Sequence, residues 1–197
     1  MTTTKTLDGL TPSRIRGSGA NSTGASEYHI TSGYADNIFT GDIVVNTAGG
    51  AVNVQLSATD EALGVFVGCH YIANNGTPTW SSYWPSGTVA TKARAMVVDN
   101  PQTTFLVQAD ASCSIGDINS FNFEVTLGAG STVTGKSGFG LKASTRATAK
   151  NMLRIVGVYN TPGNDIEVAT EAAFPIVEVR LNQHVDSFVS AGVSVTP

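Results

Sequence analysis

Between Leu63 and Gln108 the chain reads LGVFVGCHYIANNGTPTWSSYWPSGTVATKARAMVVDNPQTTFLVQ, with apolar residues in short runs separated by turn formers. Runs of this length, rich in Val, Phe and Tyr and bounded by Gly, Pro and Asn, predict strands rather than helices. LGVFVG opens as a strand, NNGTPTWSSYWPSG reads as a long loop, and ARAMVVD and TTFLVQA are two further strands joined by an Asn-Pro turn. The stretch holds both tryptophans of the chain, so it is expected to form the centre of one β domain.

The flanking sequence repeats the pattern. YHITSGYADNIFTGDIVVN and AVNVQL, separated by TAGG, predict two or three strands around a Gly-rich turn, and Gly41-Asp42 reads as a bulge or tight bend before a buried run. After Gln108 the segment ADASCSIGD is a loop with room for one short helical turn, and FNFEVTL is a strand. GAGSTVTGKSGFGL is Gly-rich loop, LKASTRATAK a loop or short helix, NMLRIVGVYN a strand and NTPGND a turn. In FPIVEVRLNQH, Val177, Val179 and Leu181 alternate with Glu178 and Arg180, which predicts a half-buried strand with Glu178 and Arg180 on its wet face. DSFVSAGVSVTP reads as a tail.

The first residues break the pattern. MTTTKTLDGLTPSRIRGSGANSTGASE is polar and cannot build a core alone, its sizeable apolar residues being Leu7, Leu10 and Ile15. It reads either as a disordered terminus or as an arm that orders on a partner, anchored by Leu7, Leu10 and Ile15 and steered by Arg14 and Arg16. The expected architecture is therefore all-β: a single antiparallel β-sandwich or barrel domain over residues 28–186, an extended N-terminal arm over 1–27 and a C-terminal tail over 187–197.

Composition sharpens this picture. In 197 residues only 13% are charged against 41% hydrophobic, so Glu, Lys and Arg are too few to clothe helices, while a domain of this size buries an ordinary core. A net charge of −4 argues against nucleic acid as a partner, and no run reaches the length that spans a bilayer as a helix. So weakly charged a surface stays soluble through hydroxyls and amides, or is covered by other chains. Cys69 and Cys113 are the only cysteines; a disulfide between them stays open as an alternative, with free thiols in a reducing cytosol the simpler reading.

One motif calls for rejection. Gly130-Ser-Thr-Val-Thr-Gly135-Lys136-Ser137 matches the phosphate-binding pattern G-x-x-x-x-G-K-[ST] and follows a strand, with Asp99 at the end of ARAMVVD as a candidate magnesium ligand. That chemistry requires a helix starting at the Lys, whose N-terminal N–H groups hold the phosphates. Gly138-Phe139-Gly140 follows instead, so the stretch is expected to be a flexible hairpin tip. His29, His70 and His184 are not at metal-ligand spacing, and neighbours Cys69 and His70 point to opposite faces of their strand. Asp110, Asp117, Asn164 and Asp165 lie in polar loops, where turn-making is commoner than calcium binding. No catalytic, cofactor-binding or metal-ligating set is assigned, and the chain is not read as an enzyme. Trp80, Tyr83 and Trp84 either pack on their own sheet, form a sugar-stacking platform, or anchor a subunit or partner interface.

Taken in order, GVFVGCHY, the W-S-x-Y-W-P-x-G-T loop, ARAMVVDNP followed by FLVQAD, LRIVGVYNTPGND and EVRLNQH resemble the capsid decoration, or cement, proteins of tailed bacteriophages, over about Gly41 to His184. The resemblance implies a β-rich, non-enzymatic protein, often a trimer, made in the host bacterial cytoplasm. Its partner would be the major capsid protein, on the outer face of an icosahedral shell that it stiffens. The expectation is a structural virion protein of this kind, with a homotrimeric β domain and an arm ordered on neighbouring capsid subunits. A carbohydrate- or receptor-binding β module of a virion fibre, using the aromatic loop, is the alternative.

Overall fold

A computed structural model describes residues 4–16, 24–54, 57, 60–164, 166 and 172–186. The expected tail over 187–197, residues 1–3 and 17–23 of the expected arm, and Asp165 lie outside the described residues. The chain folds as two antiparallel β-sheets packed together, as the strand pattern predicts.

The strands, in chain order, are β1 Thr11–Ile15, β2 Ser26–His29, β3 Ile43–Asn46, β4 Val52–Val54, β5 Gly64–Ala73 and β6 Pro78–Ser81. They continue with β7 Ala90–Val98, β8 Thr103–Gln108, β9 Asn122–Thr126, β10 Gly140–Ala147, β11 Leu153–Val158 and β12 Ile176–Leu181. The first sheet has the order β1-β8-β12-β11-β9-β10, and the second β2-β7-β5-β3-β4 with β6 paired to the far half of β5. The first sheet curls on itself: the N–H of Asp110, just past β8, donates to the carbonyl of Leu141 in the edge strand β10 at 2.9 Å.

Four expectations are corrected. The Asn-Pro segment does not close a hairpin, because β7 belongs to the second sheet and β8 to the first, so Asp99–Gln102 carries the chain from one layer to the other. NNGTPTWSSYWPSG is not one loop: Pro78–Ser81 pairs with Cys69–Ile72, and Trp80 is a strand residue. LKASTRATAK is largely β10, held by pairing with β9. Within the expected arm, Thr11–Ile15 pairs with β8 as an edge strand of the first sheet, and Ser26–Glu27 open β2 of the second, so the domain does not begin at Tyr28.

The layers bury two cores. Leu10, Ile43, Val65, Val98, Phe105, Phe123, Leu141, Leu153, Val177 and Val179 fill the space between the sheets. On the other side of the second sheet Ile30, Val44, Phe66, Cys69, Val97 and Trp84 form another cluster. The start of β5 at Gly64–Phe66 and the end of β7 at Val97–Val98 are thus buried on both faces, which is why these stretches read as continuous apolar runs rather than alternating ones. The cover over this second face is made by chain around Ile38 and Trp84, which exchange backbone hydrogen bonds at 3.1 and 2.8 Å.

Three segments from distant parts of the sequence meet where the sheets join. The N–H of Leu10 donates to Gly41, that of Gly9 to Phe139, that of Gly41 to Phe66, and that of Ser137 to Thr40, all at 2.9 to 3.1 Å. The backbones are so close that a Cβ on Gly9 would sit 2.5 Å from Cβ of Ser137, and both Gly9 and Gly41 have positive φ, +79° and +93°. Gly41 is thus the predicted bend, and only glycine suits either place. Asp42 is buried here; its carboxylate accepts from the N–H of Phe39 at 2.7 Å and from the hydroxyl of Ser137.

Burial pushes the Asp42 carboxyl up from 3.8 to about 6. The folded chain therefore holds this proton more tightly than the unfolded one, so the group costs stability as pH rises from about 4 through 6. His184 acts oppositely: burial lowers its pKa from 6.5, so its contribution is lost as pH falls below that value. Comparison with Asp42→Asn, which keeps an oxygen for the Phe39 N–H, separates the two. Urea unfolding at pH 5 and pH 7 is expected to show a gain in acid that is about 1 kcal/mol larger in the natural chain than in the variant. Identical pH dependence in both would refute this reading of Asp42.

Candidate functional site

Both described parts of the expected arm belong to the domain: Thr4–Arg16 is bound to it, and Ser26–Glu27 open β2. The side-chain amide of Gln108 takes the N–H of Thr6 at 2.6 Å and gives a hydrogen bond to the carbonyl of Thr4 at 3.0 Å. Leu7 packs over Gly140, and Leu10 is a core residue at 1% exposure, so Leu10 is not free to anchor on a partner. Ile15 is half-buried in β1, and the N–H of the exposed Arg16 donates to Gln102. Arg14 makes a bidentate pair with Glu178 across the outer face of the first sheet, at 2.7 Å from Nε and 2.6 Å from Nη2.

That pair explains why Glu178 is buried rather than on a wet face as its alternation predicts. Thr104 donates to the same carboxylate at 2.6 Å, and Gly157 opposite leaves room that a Cβ would take, at 2.9 Å from Oε2. The Arg14 guanidinium holds the Glu178 carboxyl below the usual carboxylate range. The steering role expected for Arg14 is corrected to a structural one: it fastens β1 to β12.

The three aromatics of the central stretch separate. Trp84 is fully buried and meets Tyr71 edge-on at a centroid distance of 5.2 Å, so its expected place at a subunit or partner interface is corrected to the core. Tyr83 is half-buried and stacks on Phe39 at 5.5 Å. Trp80 stands 72% exposed on the edge strand β6, its ring nearly parallel to that of His70 at 6.2 Å. The reason is the strand period: Trp80 is opposite His70 on the outward face, whereas Cys69 beside it points into the core.

The phosphate-like stretch has no helix. Thr132–Thr134 make a turn closed by the N–H of Gly135 on the carbonyl of Ser131 at 2.8 Å and by the N–H of Ser131 on Lys136 at 2.9 Å. The Lys136 ammonium lies 2.9 Å from the Asp8 carboxylate. At the tip, Val133 is 93% exposed. The N–H groups of Ser131, Thr134, Gly135 and Lys136 are used within the turn, the cation is paired, and no helix N-terminus is present to cradle a phosphate.

The remaining candidates have local work. Asp117 closes a capping box on the single turn Ile115–Asp117 and pairs with Arg146, and Asp110 accepts from Ala143 and Thr126. Asn164 ties the NTPGND turn to β11 and β12 through Tyr159 and Ile176. Both cysteines are free, and burial pushes each thiol up to about 12, so neither offers a thiolate at neutral pH. Among the described residues no three His, Cys, Asp or Glu side chains are gathered as a metal would need.

Sequence reasoning missed a second feature, on the face of the second sheet opposite Cys69 and Val97. His29, Arg94, His70 and Trp80 lie opposite one another across β2, β7, β5 and β6, and Lys92 sits in the bulge beside them with φ +52°. No local signal marks that bulge, which comes from a register shift between β5 and β7. Searches against protein-family models, curated proteins and solved structures gave no match to this chain.

The two tryptophans provide a direct test of which ring is core. Trp84→Ala is expected to cost about 3–5 kcal/mol of unfolding free energy. Trp80→Ala, at the open edge, is expected to stay within about 0.5 kcal/mol of the natural chain. Chemical denaturation of the two variants measures both, and equal losses would contradict the assignment.

Proposed function

We propose that the protein is a structural virion component that binds the outer surface of an icosahedral phage capsid and stabilises it. The reading rests on the resemblance of several blocks of the sequence to tailed-phage decoration proteins. The observation that carries it is Val133: an apolar side chain held 93% in solvent at the tip of a turn whose backbone is closed on itself. A turn closed by its own hydrogen bonds that presents a hydrophobic tip suits contact with another protein.

The same end of the domain carries the start of the described chain, through the Asp8–Lys136 pair, so the loop and the N-terminal segment form one contact region. Three such regions in a closed trimer would reach threefold or quasi-threefold positions together. Linked weak contacts then give strong avidity through effective concentration. The major capsid protein is the proposed partner and the outer capsid surface the proposed location, after synthesis in the host bacterial cytoplasm. The alternative, a carbohydrate- or receptor-binding module of a fibre, is favoured by the open indole of Trp80.

The solution mass of the purified protein, together with its presence in purified particles, tests this reading. A mass of three chains and co-purification with virions are expected. Val133→Asp should keep the melting temperature while weakening binding to shells stripped of the protein by tenfold or more. A monomer absent from particles would overturn the proposal.

A further inference from the structure

We propose that the face of the second sheet turned away from Cys69 and Trp84, along the row Trp80, His70, Arg94 and His29 with Lys92 beside it, binds an acidic saccharide. This does not depend on the capsid reading. The four side chains of the row occupy directly opposed positions on β6, β5, β7 and β2. Neighbouring strands are spaced by about 4.8 Å, so three intervals give a platform of roughly 14 Å, the span of a short oligosaccharide.

Each end of the platform has its own chemistry. At one end the Trp80 ring lies nearly flat beside the imidazole of His70, 25° between planes, and is 72% exposed. An open indole face is the surface on which the C–H face of a pyranose packs. At the other end an open groove of about 650 Å³ is lined by Glu27, Tyr28, His29, Gly49, Gly50, Lys92 and Arg94. Nothing lies within 4 Å of where side chains at Gly49 or Gly50 would stand, so the groove is unobstructed on that side.

Charge decides the class of ligand. Among the described residues Arg14, Lys136, Lys142 and Arg146 each sit on a carboxylate, whereas Lys92 and Arg94 do not. Both hydrogen bonds of the Arg94 guanidinium run through Nη1, to His29 Nδ1 and to the carbonyl of Ala93, each at 3.2 Å, which leaves its Nε and Nη2 donors for a ligand. Glu27, the one carboxylate among the described residues that line the groove, is turned to His70 at 3.2 Å. On a chain of net charge −4 this face therefore offers two unmatched cations to an anionic group.

The backbone points the same way. Lys92 holds a left-handed φ that a lysine rarely adopts, within a bulge where β7 uses one more residue than β5. Bulges of this kind re-aim a side chain, and a non-glycine residue kept in such a conformation is a mark of a functional position. A planar aromatic step followed by a shallow cationic groove suits a carboxylated or sulfated sugar better than an acidic peptide, which would need apolar pockets for alternate side chains.

Isothermal titration of the full chain with sialyl, galacturonic and sulfated oligosaccharides tests the proposal, with maltotriose as the neutral control and hexaglutamate as the acidic peptide. Binding of at least one acidic sugar is expected, with none to maltotriose and at least tenfold weaker binding to hexaglutamate. Arg94→Gln and Trp80→Ala should each weaken that binding tenfold or more. Lys92→Asn, which tolerates the left-handed backbone while removing the charge, should do so at an unchanged melting temperature. Failure of the whole acidic panel to bind, retention of affinity in the three variants, or equal affinity for hexaglutamate would overturn it.

Discussion

The close crossing of Gly9, Gly41 and Ser137 is the constraint on which the two-layer arrangement depends. Here the strand leading into the first sheet, the bend leading into the second and the segment entering β10 share backbone hydrogen bonds. A Cβ at Gly9 would fall 2.5 Å from Ser137 and 2.8 Å from the carbonyl oxygen of Gly41, so the three backbones touch with no side chain between them. Backbone groups removed from water at such a point must find one another. The buried Asp42 carboxylate completes the set by accepting from Phe39 and Ser137, holding both neighbours of the bend at once. What is gained is position: the sheets can be stacked in only one relation when their connecting segments are bonded to each other.

From that relation follows the division of the second sheet into a covered and an open region. The face that carries Cys69 and Trp84 is roofed by the chain around Ile38; the opposite face, at Trp80, is bare. Two tryptophans four positions apart thus end in opposite surroundings, one in the second core and one in water. The same logic places Val133 outside, because its loop is closed on itself and has no further apolar face to cover.

Much of this was legible in the residues. The strand runs, the bend at Gly41, the TAGG and NTPGND turns, the outward His70 beside an inward Cys69 and the absence of a helix after Lys136 all follow from local pattern, and the structure agrees with each. What was not legible depends on contacts far away in the chain. Thr11–Ile15 is too polar to announce a strand and becomes one because β8 supplies the partner edge. Glu178 reads as solvent-facing until Arg14, Thr104 and Gly157 arrive from three other strands. The layer change after Asp99 looks like a hairpin, since an Asn-Pro turn does not say which sheet the next strand will join. Of the candidate residues, Trp80 keeps an open surface, Leu10 and Trp84 go to the core, and the platform from His29 to Trp80 exists only through register.

The position of β8 between β1 and β12 carries a consequence for how the molecule comes into being. Its two neighbours are the first and the last strands of the described chain, residues 11–15 and 176–181. As the polypeptide leaves the ribosome, Thr103–Gln108 can close on the waiting N-terminal strand, yet its other edge stays bare until the final segment is made. A sheet wired in this way has high contact order and folds slowly compared with one built from successive hairpins. For the duration of synthesis it exposes a strand edge of the kind that other chains can capture. Completion of the last strand is therefore the step that ends the vulnerable period, and nascent chains short of residue 181 are the species on which chaperones would act.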